Sequence, residues 1–97
     1  MNQRNIIMWD SKTLHHMHNI LSNTYPVAND NNRLLDFCRF GNLGESIPCR
    51  LCPFDLSPKM NSCALGISRS IKEKALYIRL VIQRIEKVLI ERERERR

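Results

Sequence analysis

The sequence predicts a mainly α fold: a small single-domain helical protein with an irregular Cys-containing loop and a long amphipathic C-terminal helix. Three observations predict it. In the last third, Ile71, Ala75, Ile78, Ile82, Ile85 and Leu89 recur at alternating steps of four and three, and no glycine or proline follows Gly66. Near the start, Leu14, Met17 and Leu21 repeat at the same helical spacing. Between these segments Gly41, Gly44, Pro48, Pro53 and Pro58 fall too densely for either helix or sheet.

The elements follow in order. Asp10 or Ser11 can cap a first helix running to about Ser22, with Ile20 beside its apolar stripe. Asn23-Thr24-Tyr25-Pro26 ends it, because the residue before a proline avoids helical angles. The run Asn29-Asp30-Asn31-Asn32 is a polar connection, and Asp30 suits the cap of a short second helix from Arg33 to Phe40. Gly41 then stands where a left-handed terminal residue is expected. Ser70-Ile71-Lys72-Glu73 has the form of a capping box, so the last helix is expected from about Ser70 to Glu93. Residues 1–90 are read as one domain and residues 91–97, which alternate in charge, as a solvated extension.

The apolar stripe of the last helix admits two uses. With Ile71, Ile78 and Ile85 at heptad d and Ala75, Ile82 and Leu89 at a, Lys74 falls at g and Arg79 at the following e, which sets like charges together in a parallel homodimer. Val81, Val88, Leu76, Leu80 and Ile90 also broaden the apolar surface beyond a two-stranded seam. The stripe is therefore expected to cover the rest of the chain, or to form the face that docks on a different protein.

The chain has 97 residues, a net charge of +6, 42% hydrophobic and 27% charged residues, which fits a globular domain rather than a disordered one. A domain this small is marginal in stability and gains from a metal, a disulfide or a partner. Its charge is uneven. Residues 1–67 hold six Lys/Arg against five acids, a net of +1, whereas residues 68–97 hold ten against five, a net of +5. Such a basic segment suits an acidic partner, most often nucleic acid, or forms a solvated helix face. Arg69, Lys72, Arg79, Arg84 and Lys87 are the candidate phosphate contacts. Tyr77 alone supplies an aromatic ring there, so base stacking is not indicated and the backbone is the expected target.

The four cysteines, Cys38, Cys49, Cys52 and Cys63, have the spacing C-x10-C-x2-C-x10-C. The Cys-x-x-Cys turn can present two thiolates to adjacent corners of a tetrahedral zinc ion, with Cys38 and Cys63 completing it and bracing the loop. Unligated core thiols explain the same residues equally well. The spacing is near that of twin-cysteine helical hairpins, but Gly41, Gly44 and Pro48 break the first intervening segment and Pro53 and Pro58 the second. Phe37-Cys38-Arg39-Phe40 resembles a short run in a bacterial small-subunit ribosomal protein, over four residues, too few to imply a family. His15, His16 and His18 share one turn of the first helix. His15 and His18 could ligate together, though Leu14, Met17 and Leu21 define the buried side and leave the imidazoles at the surface.

No phosphate-binding glycine loop, G-x-S-x-G or H-E-x-x-H is present, and the acids of the first two thirds show no pairing, so no enzyme is expected. No apolar run approaches a membrane span, and Ile6-Ile7-Met8-Trp9 is too short for the core of a signal peptide. An intracellular protein, cytoplasmic or nuclear, is expected, with mitochondrial import left open by Arg4 and Lys12 around that run. The sequence thus favours a non-enzymatic small basic protein that contacts RNA or DNA phosphates within a larger assembly, with zinc as a potential stabiliser. The alternative is a protein-interaction or regulatory accessory factor, for example viral, whose C-terminal helix docks on a partner. Neither reading involves a membrane or a small-molecule substrate.

Overall fold

The computed structural model describes residues 4–24, 37–55, 63–67 and 70–95. The chain order is α1 (Arg4–Ile7), α2 (Ser11–Thr24), α3 (whose described part is residues 37–40), a 3-10 turn (Cys49–Leu51), α4 (Ala64–Ile67) and α5 (Ile71–Glu95). The protein is thus mainly helical, with an irregular cysteine-bearing loop between α3 and α4 and a long amphipathic helix last. The turn at Tyr25-Pro26, the polar run after it and the start of the second helix at Arg33 lie outside the described residues. No helix among the described residues is long and apolar enough to cross a membrane.

Helix α2 begins as its sequence dictates. The Thr13 amide donates to Asp10 Oδ1 at 2.7 Å and the Leu14 amide to the Asp10 carbonyl at 3.0 Å, so one residue satisfies an orphan donor at the helix start and accepts the first intrahelical bond. Leu14, Met17 and Leu21 are fully buried, the whole of the anticipated stripe. Helix α5 opens likewise on Ser70, whose Oγ accepts from the Glu73 amide at 3.1 Å and whose carbonyl accepts from Lys74 at 3.1 Å. It packs chiefly on α2, and also on α1 and α4.

The inward face of α5 is displaced from the heptad stripe. Ile78, Val81, Ile85 and Val88 are buried, whereas Ala75, Ile82 and Leu89 lie at the edge of the core and Ile71 is 57% exposed. The buried face therefore centres between the d and g positions rather than between d and a. Three neighbouring elements rather than one cover it, so its width exceeds that of a coiled-coil seam. Burial of these four side chains contributes on the order of 6–12 kcal/mol.

The loop is built from successive tight turns. The Gly41 amide continues the helical pattern to the Phe37 carbonyl at 2.9 Å, and Asn42 and Glu45 exchange both backbone bonds, at 3.1 and 3.0 Å, around Leu43-Gly44. The left-handed residues are Leu43 (φ 52°) and Gly44 (φ 93°), not Gly41. This pair of positive φ values is that of a type I′ hairpin turn. Gly41 has a different reason to be glycine: a Cβ there would overlap the Phe37 carbonyl oxygen and the Ile47 side chain. The Ile47 amide then donates to the Cys38 carbonyl at 2.8 Å and returns the chain to α3.

Pro48 and Pro53 shape the next two turns. Leu51 donates to the Pro48 carbonyl at 2.9 Å, and Asp55 donates to the Cys52 carbonyl at 3.0 Å across a turn with Pro53 at its second position, where the ring presets φ. Pro53 and Phe54 are fully buried, and the Phe54 ring meets Phe37 edge to face, centroids 5.3 Å apart at 84°. The Ala64 amide donates to the Phe54 carbonyl at 2.9 Å, which brings Cys63 back beside Asp55 and leads into α4.

Two outcomes follow from this packing. Phe54→Ala removes the ring at the centre of the loop and is expected to cost about 3–5 kcal/mol in urea unfolding. Bonds from Thr13 hold the Asp10 carboxyl below its ordinary value of 3.8, with Lys12 and Arg92 adding to the effect. A lowered folded-state value makes this contribution complete above the ordinary value and lost as pH falls through the lowered one. Asp10→Asn keeps an acceptor without the charge, so the acid decline in the urea midpoint is expected to become shallower in that variant.

Candidate functional site

The solvent side of α5 carries the most unusual surface of the molecule. Opposite the buried Ile78, Val81, Ile85 and Val88 runs a line formed by Lys72, Leu76, Arg79, Gln83, Lys87, Ile90 and Arg94, each three or four residues from the next and all exposed. With 3.6 residues per turn these positions form one ridge along the helix. Four are cations, none is an acid, and Leu76 and Ile90 are 54% and 52% exposed. No ion pair among the described residues involves Lys72, Arg79, Lys87 or Arg94.

The acids of this helix lie off the ridge. Glu73 and Glu91 fall on one flank and Glu86 on the other, where its Oε1 lies 3.3 Å from His18 Nε2. That nitrogen is enclosed and makes no hydrogen bond, so the two groups are close without the alignment of one; they attract when the imidazole is protonated. His18 Nδ1 lies 3.4 Å from Ser22 Oγ, and His16 Nε2 lies 3.0 Å from the Phe40 carbonyl, to which it donates as the Nε2–H tautomer. His15 is exposed in the shallow groove between α2 and α5. Two of the three imidazoles therefore join helices rather than stand free at the surface.

Not all the anticipated phosphate contacts share the ridge. Lys72, Arg79 and Lys87 do. Arg84 is half buried on the opposite flank and engaged in an interaction of its own, and Arg69 lies outside the described residues. Arg94 joins them because α5 continues to Glu95, through most of the charged segment read as a solvated extension. Its neighbour Arg92 faces inward and donates to the Ile7 carbonyl at 2.7 Å and to Ser11 Oγ at 3.1 Å, closing the C-terminal end of α1. The alternation Arg-Glu-Arg-Glu thus distributes its charges around the helix. The signal for Arg94 and Gln83 was present in the sequence, as the polar counterpart of the apolar stripe, whereas Leu76 and Ile90, read there as part of the apolar surface, face solvent on the opposite side.

A second copy of this chain does not fit the ridge. The positions are symmetric about Gln83, so antiparallel pairing sets Arg79 on Lys87 and Lys72 on Arg94, while parallel pairing sets each cation on itself. Both arrangements are repulsive.

The anticipated partner-helix face is accounted for within the chain: Ile78 and Ile85 lie in the core, Ala75, Ile82 and Leu89 pack against it, and Ile71 faces solvent at the helix start. Among the candidate metal ligands, Cys52 is buried and Cys38 and Cys63 are half buried, and the side chain of Cys49 lies outside the described atoms. Among the described residues no three His, Cys, Asp or Glu side chains gather in a form that could hold a metal ion.

The N-terminal segment holds the cysteine loop through side-chain hydrogen bonds. The buried Asn5 side chain donates to the Arg50 carbonyl at 3.0 Å and to the Cys52 carbonyl at 2.9 Å, and Trp9 Nε1 donates to the Leu51 carbonyl at 3.1 Å. Three consecutive carbonyls, of which Cys52 also accepts from the Asp55 amide in its own turn, thus receive donors from the N-terminal segment. Nothing in the sequence marked Asn5 for this role.

Fold and surface together define a small helical domain with one cationic helix ridge. No protein-family model matches the chain, and no curated protein or solved structure does either.

Asn5→Ala removes the Asn5 donor from the Arg50 carbonyl and leaves the Cys52 carbonyl to the Asp55 amide, and is expected to cost about 1–3 kcal/mol in urea unfolding. Asn5→Asp turns a carboxylate toward the same oxygens, and its unfolding midpoint at neutral pH is expected to fall below that of the alanine variant.

Proposed function

We propose that the chain is a non-enzymatic binding module that holds RNA or DNA by its phosphates within a larger assembly, through Lys72, Arg79, Lys87 and Arg94. The observation that supports this reading is the ridge itself: four exposed cations in line on one rigid helix, with no acid among them and no ion-pair partner among the described residues. A partner carrying evenly spaced negative charge complements such a line, and arginine adds the forked geometry that phosphate oxygens accept. Leu76 and Ile90 supply apolar contact with sugar or base edges between the cations. A ridge rather than a pocket also suits an extended polymer more than a small molecule.

Zinc on Cys38, Cys49, Cys52 and Cys63 is a separate proposal, decided by native mass spectrometry of the folded chain. A mass heavier than the polypeptide by one zinc ion, with a lower melting temperature in chelator, supports it. A bare mass with unchanged melting removes it.

The test of the main reading is the salt dependence of binding. Three to four phosphate contacts are expected to give a slope of log K against log salt of about −3 to −4, and reversal of Arg79 and Lys87 to Glu is expected to abolish binding. Nucleic-acid binding that ignores salt, or a complex with another protein that persists in high salt at the expense of nucleic acid, would exclude the phosphate reading.

A further inference from the structure

We infer that the nucleic acid held by this ridge is a B-form duplex, and that α5 lies along the duplex axis, touching backbone on successive strands without entering a groove. The inference rests on the phosphate reading above and adds the form of the partner.

Three features carry it. The first is length. Lys72 and Arg94 are 22 residues apart on one unbroken helix, hence about 33 Å at 1.5 Å per residue. One turn of B-form DNA rises by about 34–36 Å. A rod lying along the axis meets the same strand again after one turn, so the two end cations match two phosphates of one strand. Arg79 and Lys87 stand about 10 and 22 Å along that span, by the same rise. The complementary strand crosses the span once between its ends, off centre because the two grooves differ in width, so it meets one of these two cations while the other faces the wider groove. Because the ridge is symmetric about Gln83, the fit is the same in either direction along the duplex.

The second feature is the position of the acids. A helix sunk in the major groove brings both flanks close to the phosphates on either side. Here one flank carries the exposed Glu86 and the other the exposed Glu91 and the half-buried Glu73 and Arg84. Deep insertion would press these carboxylates against phosphate, whereas a helix resting on its ridge keeps them away. The third feature is chemical. No aromatic ring stands on the ridge. Stacking platforms that hold single strands are therefore missing from this surface.

The experiment is fluorescence anisotropy with the intact chain and hairpin-closed DNA duplexes of two lengths, about twelve and about six base pairs, beside a single strand of the longer length. These lengths lie on either side of the roughly 10–10.5 base pairs of one turn. For the longer duplex, whose strands cross the helix three times, the expected slope of log K against log salt is about −2.7. For the shorter one, which cannot span Lys72 to Arg94, it is about −1.8. Lys72→Ala/Arg94→Ala is expected to bind both duplexes with the smaller slope, and the single strand to bind more weakly than the long duplex. All four cations are exposed, so circular dichroism of the variants is expected to match the parent.

A single strand bound as tightly as the duplex, or a slope indifferent to duplex length, would overturn the inference and leave the phosphate reading standing. Selection of one base sequence over another by more than tenfold would also overturn it, since it would place the helix in a groove. If changing all four cations to Ala leaves binding unaltered, or if vesicles of phosphatidylserine and phosphatidylcholine are bound and no nucleic acid is, both readings fall.

Discussion

The side-chain amide of Asn5 is the constraint on which the rest of the structure depends. It bridges the carbonyls of Arg50 and Cys52, 45 and 47 residues away, and it does so while buried. A glycine- and proline-punctuated loop has few backbone bonds of its own, and any carbonyl it buries must find a donor elsewhere. Asn5 and Trp9 provide those donors from one short N-terminal turn. With the carbonyls met, Pro53 and Phe54 can enter the core, and the Phe54 ring reaches Phe37. The loop then acts as a wall against which α1 and α4 are set, and both of these pack on α5.

Helix α5 serves two opposed surfaces at once. Its inner side is fixed by Ile78, Val81, Ile85 and Val88 against α2, α1 and α4, and its outer side keeps four cations in water. The energetic roles separate cleanly. Buried aliphatic area stabilises the fold, whereas exposed charges contribute little to stability and much to the rate and strength with which an anion is met. A helix braced along one side also loses little conformational freedom when a polymer settles on the other. That preorganisation matters for a surface composed of long side chains.

The charged end of the chain shows how a simple alternation becomes two functions. Arg92 and Arg94 differ by two positions, about 200° around the helix. One therefore turns inward to the Ile7 carbonyl and ties the two ends of the molecule together, while the other extends the ridge. Glu86 is drawn toward His18 and away from the ridge by the same angular logic.

By itself the sequence determined the two long helices, α2 and α5, and the inner residues of α2. The caps at Asp10 and Ser70, the stripe Leu14-Met17-Leu21 and the turn-rich middle are local signals, decided by hydrogen-bonding reach and by the 3.6-residue period, and all appear where they are written. The basic excess of the last third was equally legible from a count. Tertiary structure alone decided which side of α5 faces inward by a few tens of degrees, because that depends on the combined width of the elements covering it. It also decided that Gly41 is needed for space and Gly44 for its backbone angle, since a local pattern cannot reveal a neighbour such as Ile47. Above all it decided the role of Asn5. A polar residue next to an apolar run reads as surface until the carbonyls it must serve, some forty-five positions later, are folded against it.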